Sequence, residues 1–115
     1  MSERRIAERV QVHLNARWEG VLARREGTIS DISATGCFIL TSDEVEKGEL
    51  VRLEIETPSE GWIYLWGEVV YLIEEMGFAL RFTGAGESEQ TMLALLIDYY
   101  KPEEPGPPPG ETKKA

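Results

Sequence analysis

Two arginines near the start of the chain, Arg5 and Arg9, stand four residues apart in the segment Arg4-Arg5-Ile6-Ala7-Glu8-Arg9. A guanidinium group is a planar fork of N–H donors, and it binds phosphate oxygens or the O6/N7 edge of guanine through two hydrogen bonds. The same plane also stacks on purine faces. On its own such a pair is typical of an ordinary solvated surface, and a site for phosphate or a guanine edge is the alternative.

A second group follows in Asp31-Ile32-Ser33-Ala34-Thr35-Gly36. Asp31 and Ser33 are two residues apart, so at the end of a strand they project to the same side and present a carboxylate and a hydroxyl together. A carboxylate accepts hydrogen bonds from the N1–H and N2–H groups of guanine. We expect Gly36 either to adopt a positive φ or to let the backbone approach a ligand. The alternative is a turn in which the Asp or Ser side chain ends the strand.

Catalytic groups are scarce in the sequence. His13 is the only histidine and Cys37 the only cysteine, so a zinc site of the usual nitrogen and sulfur type cannot be assembled. No nucleophile motif surrounds any serine, and Cys37 is expected to be a small core residue. The adjacent acids Glu74 and Glu75 fall in a predicted turn, where nothing buries them. The sequence predicts a protein that is not an enzyme and holds no metal.

Alternation of apolar and polar residues predicts the elements that position these groups. It is clearest from Val10 to Trp18, where every second residue is apolar. Gly67 is expected to mark a bulge or a tight bend. Short strands joined by glycine-containing turns favour an antiparallel barrel or sandwich. The predicted strands are 10–18, 27–32, 37–41, 51–56, 61–73 and 77–82.

A helix is predicted after the last strand, because Met92, Leu95, Leu96 and Tyr99 follow a helical spacing. Ser88 is the predicted N-cap, and Lys101-Pro102 the stop. Residues 102–115 are rich in proline, and we expect a disordered tail that is partly in the polyproline II conformation.

The composition fits one small domain: 115 residues with a net charge of −9. Such a charge argues against binding duplex DNA or an anionic membrane surface. The charge is uneven, because residues 1–25 hold six arginines and three glutamates, so a small anion could still bind there. No apolar run reaches the roughly 18 residues of a membrane span, and nothing resembles a signal peptide, so we expect a cytoplasmic protein without membrane insertion.

The two motifs in this order, Arg5-x-x-x-Arg9 and Asp31-x-Ser33-x-x-Gly36, resemble the signature of PilZ domains, the bacterial receptors of cyclic di-GMP. Residues 67–71 and 77–82 also look like the last two barrel strands of that family. The resemblance covers residues 4–100. It implies a six-stranded antiparallel β-barrel with a C-terminal helix at one end.

The resemblance also implies a function in second-messenger signalling, such as control of motility or biofilm formation. Residues 1–9 would be a flexible segment that clamps cyclic di-GMP onto a barrel formed by residues 10–101, and the altered surface would signal to an unidentified partner protein. No cofactor other than this ligand is implied. An arginine at the position of Arg4 is associated in the family with two stacked dinucleotides. The implied ligand-binding residues are Arg4, Arg5, Arg9, Asp31, Ser33 and Gly36.

Two other interpretations stay open. The first is an adaptor of the same fold that docks to motility or secretion proteins without binding nucleotide. The second is a small barrel that binds oligonucleotides by stacking bases on Trp18, Trp62 and Trp66; the acidic surface disfavours it, and we expect these side chains to pack in the core or at the barrel rim. Arg24 and Arg25 are predicted to lie in a solvated loop.

Overall fold

The computed structural model describes residues 8–21 and 24–101, which form six strands and one helix. The predicted Pro-rich tail and the start of the arginine segment lie outside these residues. The elements are β1 (Val10–Glu19), β2 (Arg24–Ile32), β3 (Gly36–Leu40), β4 (Leu50–Glu56), β5 (Trp62–Ile73), β6 (Gly77–Gly84) and α1 (Glu87–Tyr100).

The six strands close into an antiparallel barrel in the order β1-β2-β3-β6-β5-β4. Closure pairs every one of these strands on both sides, so the barrel leaves no unpaired sheet edge among them. A shift of register between Trp66 and Gly67 confirms the predicted irregularity at Gly67. A methyl group there would lie 3.2 Å from the carbonyl oxygen of Arg81. The predicted fold class is confirmed.

The barrel interior is apolar because alternate residues of each strand point into it. In β1 the side chains of Val10, Leu14, Ala16 and Trp18 are buried, and the polar residues between them are exposed. The Trp18 ring meets Phe78 of β6 edge to face, with 5.1 Å between ring centroids.

The helix α1 covers one end of the barrel through Leu93, Leu96 and Ile97, which join the buried core. We call this the helix end; β1 begins there and β2 ends there. Lys101, just after α1, lies 3.5 Å from the Glu8 carboxylate ahead of β1. At the opposite end, called the loop end, β1 ends and β2 begins, and the connections 41–49 and 74–76 lie there. No helix of the described chain is long and apolar enough to span a membrane.

Two predictions of detail are wrong, and the prediction for the three tryptophans is wrong in part. Gly86 is the N-cap of α1, so Ser88 lies inside the first turn. Arg24 and Arg25 belong to β2, because they pair with Glu19 and Trp18 of β1 and thereby lengthen the strand. Trp18 is buried as predicted, whereas Trp62 is half-buried and Trp66 is 49% exposed. Both lie on the outer face of β5, since the buried residues Ile63 and Leu65 alternate with them.

Candidate ligand-binding site

Ser33 holds together the turn that joins β2 to β3. Its hydroxyl accepts hydrogen bonds from the backbone N–H groups of Thr35, at 3.1 Å, and Gly36, at 3.2 Å. The backbone N–H of Ser33 donates to the Gly36 carbonyl at 2.8 Å, which closes the turn. The Ser33 side chain is 1% exposed. Its hydroxyl is therefore engaged within the turn, as in the Ser-turn alternative considered for this motif.

Gly36 is required by the packing of β3 against β6. A Cβ at this position would lie 2.2 Å from the carbonyl oxygen of Leu80, which is far below van der Waals contact. Gly36 does not have a positive φ, so the first of the two alternatives expected for this glycine is wrong. Because Gly36 has no side chain, the backbone of β6 can pack closely against β3 at this position.

Asp31 lies at the end of β2 beside the arginine that precedes β1. The Arg9 Nε atom is 3.0 Å from Asp31 Oδ1, with the two side chains 50% and 30% exposed. Oδ1 itself is buried, and among the described residues it accepts no hydrogen bond, so its contact with Arg9 is an ion pair. The pair thus places a cation and a carboxylate side by side, and this contact uses one of the five N–H donors of the guanidinium.

An outer row of side chains continues from Asp31 across the barrel surface. Asp31 pairs with Phe38 of β3, Phe38 with Ala79 of β6, and Ala79 with Tyr71 of β5. The Phe38 and Tyr71 rings are tilted against each other, with 6.2 Å between centroids. Phe38 is buried, whereas Tyr71 is 51% exposed. The row therefore offers a carboxylate at one side and an accessible aromatic ring at the other.

A second ion pair borders this row towards the helix end. Arg81 pairs in register with Gly36 on one side and Glu68 on the other. Its Nη2 donates a hydrogen bond of 2.6 Å to Glu68 Oε1. The Arg81 side chain is 58% exposed. Because Gly36 has no side chain, the outer surface next to Arg81 stays open on the β3 side.

Burial and the neighbouring charges make Cys37 unreactive. Its side chain is fully buried. Burial raises the pKa of the Cys37 thiol well above its usual range, the Asp31 carboxylate raises it further, and Arg9 acts in the opposite direction. The thiol is therefore protonated at neutral pH and cannot act as a nucleophile.

The structure brings together four of the six predicted ligand-binding residues. Arg9 touches Asp31, and Ser33 and Gly36 form the adjoining turn. Arg4 and Arg5 lie outside the described residues. A separate cavity of about 510 Å³ lies behind the turn, between Ala34, the end of β6 and α1. None of its lining residues is charged, so it does not suit an anion.

Sequence reasoning missed the aromatic part of the outer row. Phe38 lies between Cys37 and Ile39, which are both in the core. Strict alternation in β3 therefore placed Phe38 outside, and this signal was available in the sequence. Tyr71 could not be located in the same way, because a register shift between Val69 and Tyr71 breaks the alternation of β5.

Several solved structures are similar to this chain in fold. The Bacillus subtilis inhibitor of motility, MotI/DgrA, aligns with a TM-score of 0.72 and 21% identity over 84% of this chain. This chain spans about half of that protein, 51% of its length. The PilZ domain of YcgR from Escherichia coli, in a structure with cyclic di-GMP, aligns with a TM-score of 0.68 and 13% identity; the alignment covers 85% of this chain and 92% of that one.

The PilZ domain of CeSA from a cellulose-synthesizing bacterium aligns with a TM-score of 0.65 and 11% identity, covering 80% of this chain and 97% of the other. These identities are low, and the likeness shows a shared fold. The comparison with curated protein sequences finds no match. The family model described as PilZ domain matches residues 3–99. Since that match spans most of the 115 residues, the chain belongs to the PilZ domain family.

Proposed function

We propose that this protein is a receptor for cyclic di-GMP that passes the signal to a partner protein. The contact between Arg9 and Asp31, 3.0 Å apart, carries the proposal. It joins two motifs that are 22 residues apart in sequence, and each contains residues of the type that recognises guanine. Two comparisons support the proposal. The chain belongs to a family of receptors and adaptors, and it shares its fold with the YcgR domain in the structure with cyclic di-GMP.

The chemistry of guanine matches this pair. Guanine offers O6 and N7 as acceptors on one edge, which suits the N–H fork of Arg9. Its N1–H and N2–H groups are donors, which suits the Asp31 carboxylate. The half-exposed Tyr71 ring at the far side of the outer row offers a face for a second ring. In this arrangement Arg5 and Arg4 supply charge for the two phosphates.

The acidic character of the protein does not oppose such binding. Exposed charges farther away than a Debye length, ~8 Å at physiological salt, are largely screened. Arg9 and Arg81 lie on the same side of the barrel as the turn between β2 and β3. A group of four carboxylates, those of Asp43, Glu44, Glu74 and Glu75, lies instead at the loop end.

Calorimetric titration with cyclic di-GMP tests the receptor function directly. We expect saturable binding with an endpoint of two dinucleotides per chain, since Arg4 precedes the motif. Cyclic di-AMP serves as the matched control, because adenine carries an N6 amino donor where guanine carries the O6 acceptor. Heat from both ligands alike would contradict guanine recognition, and an endpoint of one would contradict the stacked pair.

Binding is expected to order the arginine segment over the barrel. We propose that residues 1–9, whose last residue Arg9 already contacts Asp31, close further onto the outer row when ligand binds, and that this new surface is what the partner reads. Hydrogen exchange then slows in residues 1–9 on addition of ligand, with little change in α1. Equal exchange of these amides with and without ligand would exclude the clamp.

A second candidate function is an adaptor that docks to its partner without nucleotide. The turn supports this alternative, because the Ser33 hydroxyl and Gly36 both have complete structural roles without any ligand. By analogy with the inhibitor of motility, the partner in either case would belong to a motility apparatus. A calorimetric titration in which cyclic di-GMP gives no heat of binding would favour the adaptor.

A further inference from the structure

The loop end of the barrel carries a groove that the ligand site does not use. It has a volume of about 660 Å³ and lies between the β3–β4 connection and the β5–β6 hairpin. Its walls are residues 41–45 on one side and residues 72–75 with Gly77 on the other. Val45 forms part of its base and reaches into the barrel core. We call it the acidic groove.

Apolar side chains lie open in and beside the acidic groove. Leu72 and Ile73, which line it, are 43% and 45% exposed, and Met76 at the tip of the hairpin is 50% exposed. Leu40 is 38% exposed and is separated from Ile73 only by Gly77, with which both pair in register. Exposed apolar surface grouped in this way, with a polar rim, is typical of a site for another protein.

The rim of this apolar surface is negatively charged and incompletely neutralised. Four carboxylates line the acidic groove: Asp43, Glu44, Glu74 and Glu75. Asp43 is paired with Arg25, whose Nε lies 3.5 Å away. Across residues 8–21 and 24–101, the other three make no ion pair. A ligand that brings cations to the rim would therefore meet unpaired partners.

We propose that the acidic groove binds a basic amphipathic helix of a partner protein. The apolar face of such a helix covers Leu72, Ile73 and Met76, and its Lys and Arg side chains meet the glutamates of the rim. The carboxylates repel nucleic acid and anionic lipid, which excludes both as occupants. A second copy of this chain is disfavoured by its own charge of −9. The acidic groove shares no residue with the ligand site, so this inference stands without cyclic di-GMP.

A designed helix tests the chemistry of the acidic groove. The probe is a fluorescent peptide of about 18 residues with leucines on one face and lysines on the other. One control peptide carries glutamates in place of the lysines, and another has the same composition in an order without amphipathic spacing. We expect the first peptide alone to bind, with the largest amide shifts in NMR spectra at residues 40–46 and 72–76. Binding of the scrambled peptide with equal affinity would overturn the proposal.

A matched pair of charge reversals locates the binding. Glu75 and Glu60 are both exposed glutamates in hairpin turns with positive φ, 64° and 70°, but Glu60 lies at the helix end. We expect Glu75→Lys to weaken peptide binding about tenfold at low salt, and much less at high salt. Glu60→Lys changes the net charge equally and is expected to leave affinity within about twofold. Equal losses in the two variants would mean attraction to the whole protein, and would overturn the proposal.

A second matched pair tests the apolar contact. Met76→Gln is expected to weaken the peptide about fivefold, because an amide replaces apolar surface that the helix covers. Met92→Gln, on the exposed face of α1 at the other end, is expected to have no effect. Loss of affinity only in Met92→Gln would place the partner on α1 and overturn the assignment. So would a dimer in sedimentation experiments that Glu75→Lys dissociates, since the occupant would then be a second copy.

Discussion

Replacing Arg9 or Asp31 by alanine is expected to weaken cyclic di-GMP binding by about tenfold to a hundredfold. A two-pronged contact between arginine and a guanine edge contributes about 1–3 kcal/mol, and each variant removes one such partner. Both side chains lie on the barrel surface, so the fold should persist. Calorimetry gives the affinity of each variant, and thermal melting without ligand reports its stability.

The chain offers a matched control in a second Arg–Asp pair. Arg25 and Asp43 are 48% and 37% exposed and 3.5 Å apart, at the loop end. Arg25→Ala and Asp43→Ala remove the same charges from the same kind of pair, away from the ligand site. We expect wild-type affinity for cyclic di-GMP in both. An equal loss in the two sets of variants would show a general effect of charge and contradict the assignment of Arg9 and Asp31.

The double variant Arg9→Ala/Asp31→Ala tests whether the two side chains bind cyclic di-GMP as one site or as two independent contacts. Because Arg9 and Asp31 touch, their effects on binding should not add. Once either partner is lost, the other is no longer held against it, and the second substitution should cost less than it does alone. If the loss of binding free energy in the double variant equals the sum of the losses in the single variants, the contact between the two side chains has no part in binding.

Most of the fold could be predicted from the sequence, because alternation of apolar and polar residues depends only on which side of a strand is buried. The pattern from Val10 to Trp18 shows this in β1. Alternation also favoured an antiparallel barrel or sandwich, and resemblance to a family selected the barrel. The strand order and register then decide which outer residues become neighbours. This is why Arg9 and Asp31 could be proposed as partners only through the motif.

The remaining errors arise where tertiary pairing decides the outcome. Arg24 and Arg25 have no strand pattern of their own, and they become extended because β1 continues as far as Glu19 and pairs with them. Trp62 and Trp66 are large and apolar, yet they lie outside, and the Arg17 guanidinium stacks 4.4 Å above the Trp62 ring centroid. The sequence alone does not tell an outer aromatic residue with a cationic neighbour from a core residue.

Gly36→Ala is expected to lower the stability of the protein by about 2–3 kcal/mol, even without ligand. The new methyl group would lie 2.2 Å from the Leu80 carbonyl oxygen, and backbone atoms cannot move aside as a flexible side chain would. β3 and β6 must then separate locally, which weakens their hydrogen bonds and strains the Ser33 turn. For a domain of this size the melting temperature should fall by about 10–20 °C.

Gly84→Ala is the matched control for this prediction, because Gly84 is also in a barrel strand. A methyl group there would lie 3.6 Å from the Trp66 side chain, an ordinary contact, and we expect a stability change within about 0.5 kcal/mol. If Gly36 were needed only to let a ligand come close, Gly36→Ala would melt at the wild-type temperature and would lose only its affinity for cyclic di-GMP. A lower melting temperature in the absence of cyclic di-GMP instead assigns this motif glycine to the pairing of β3 with β6.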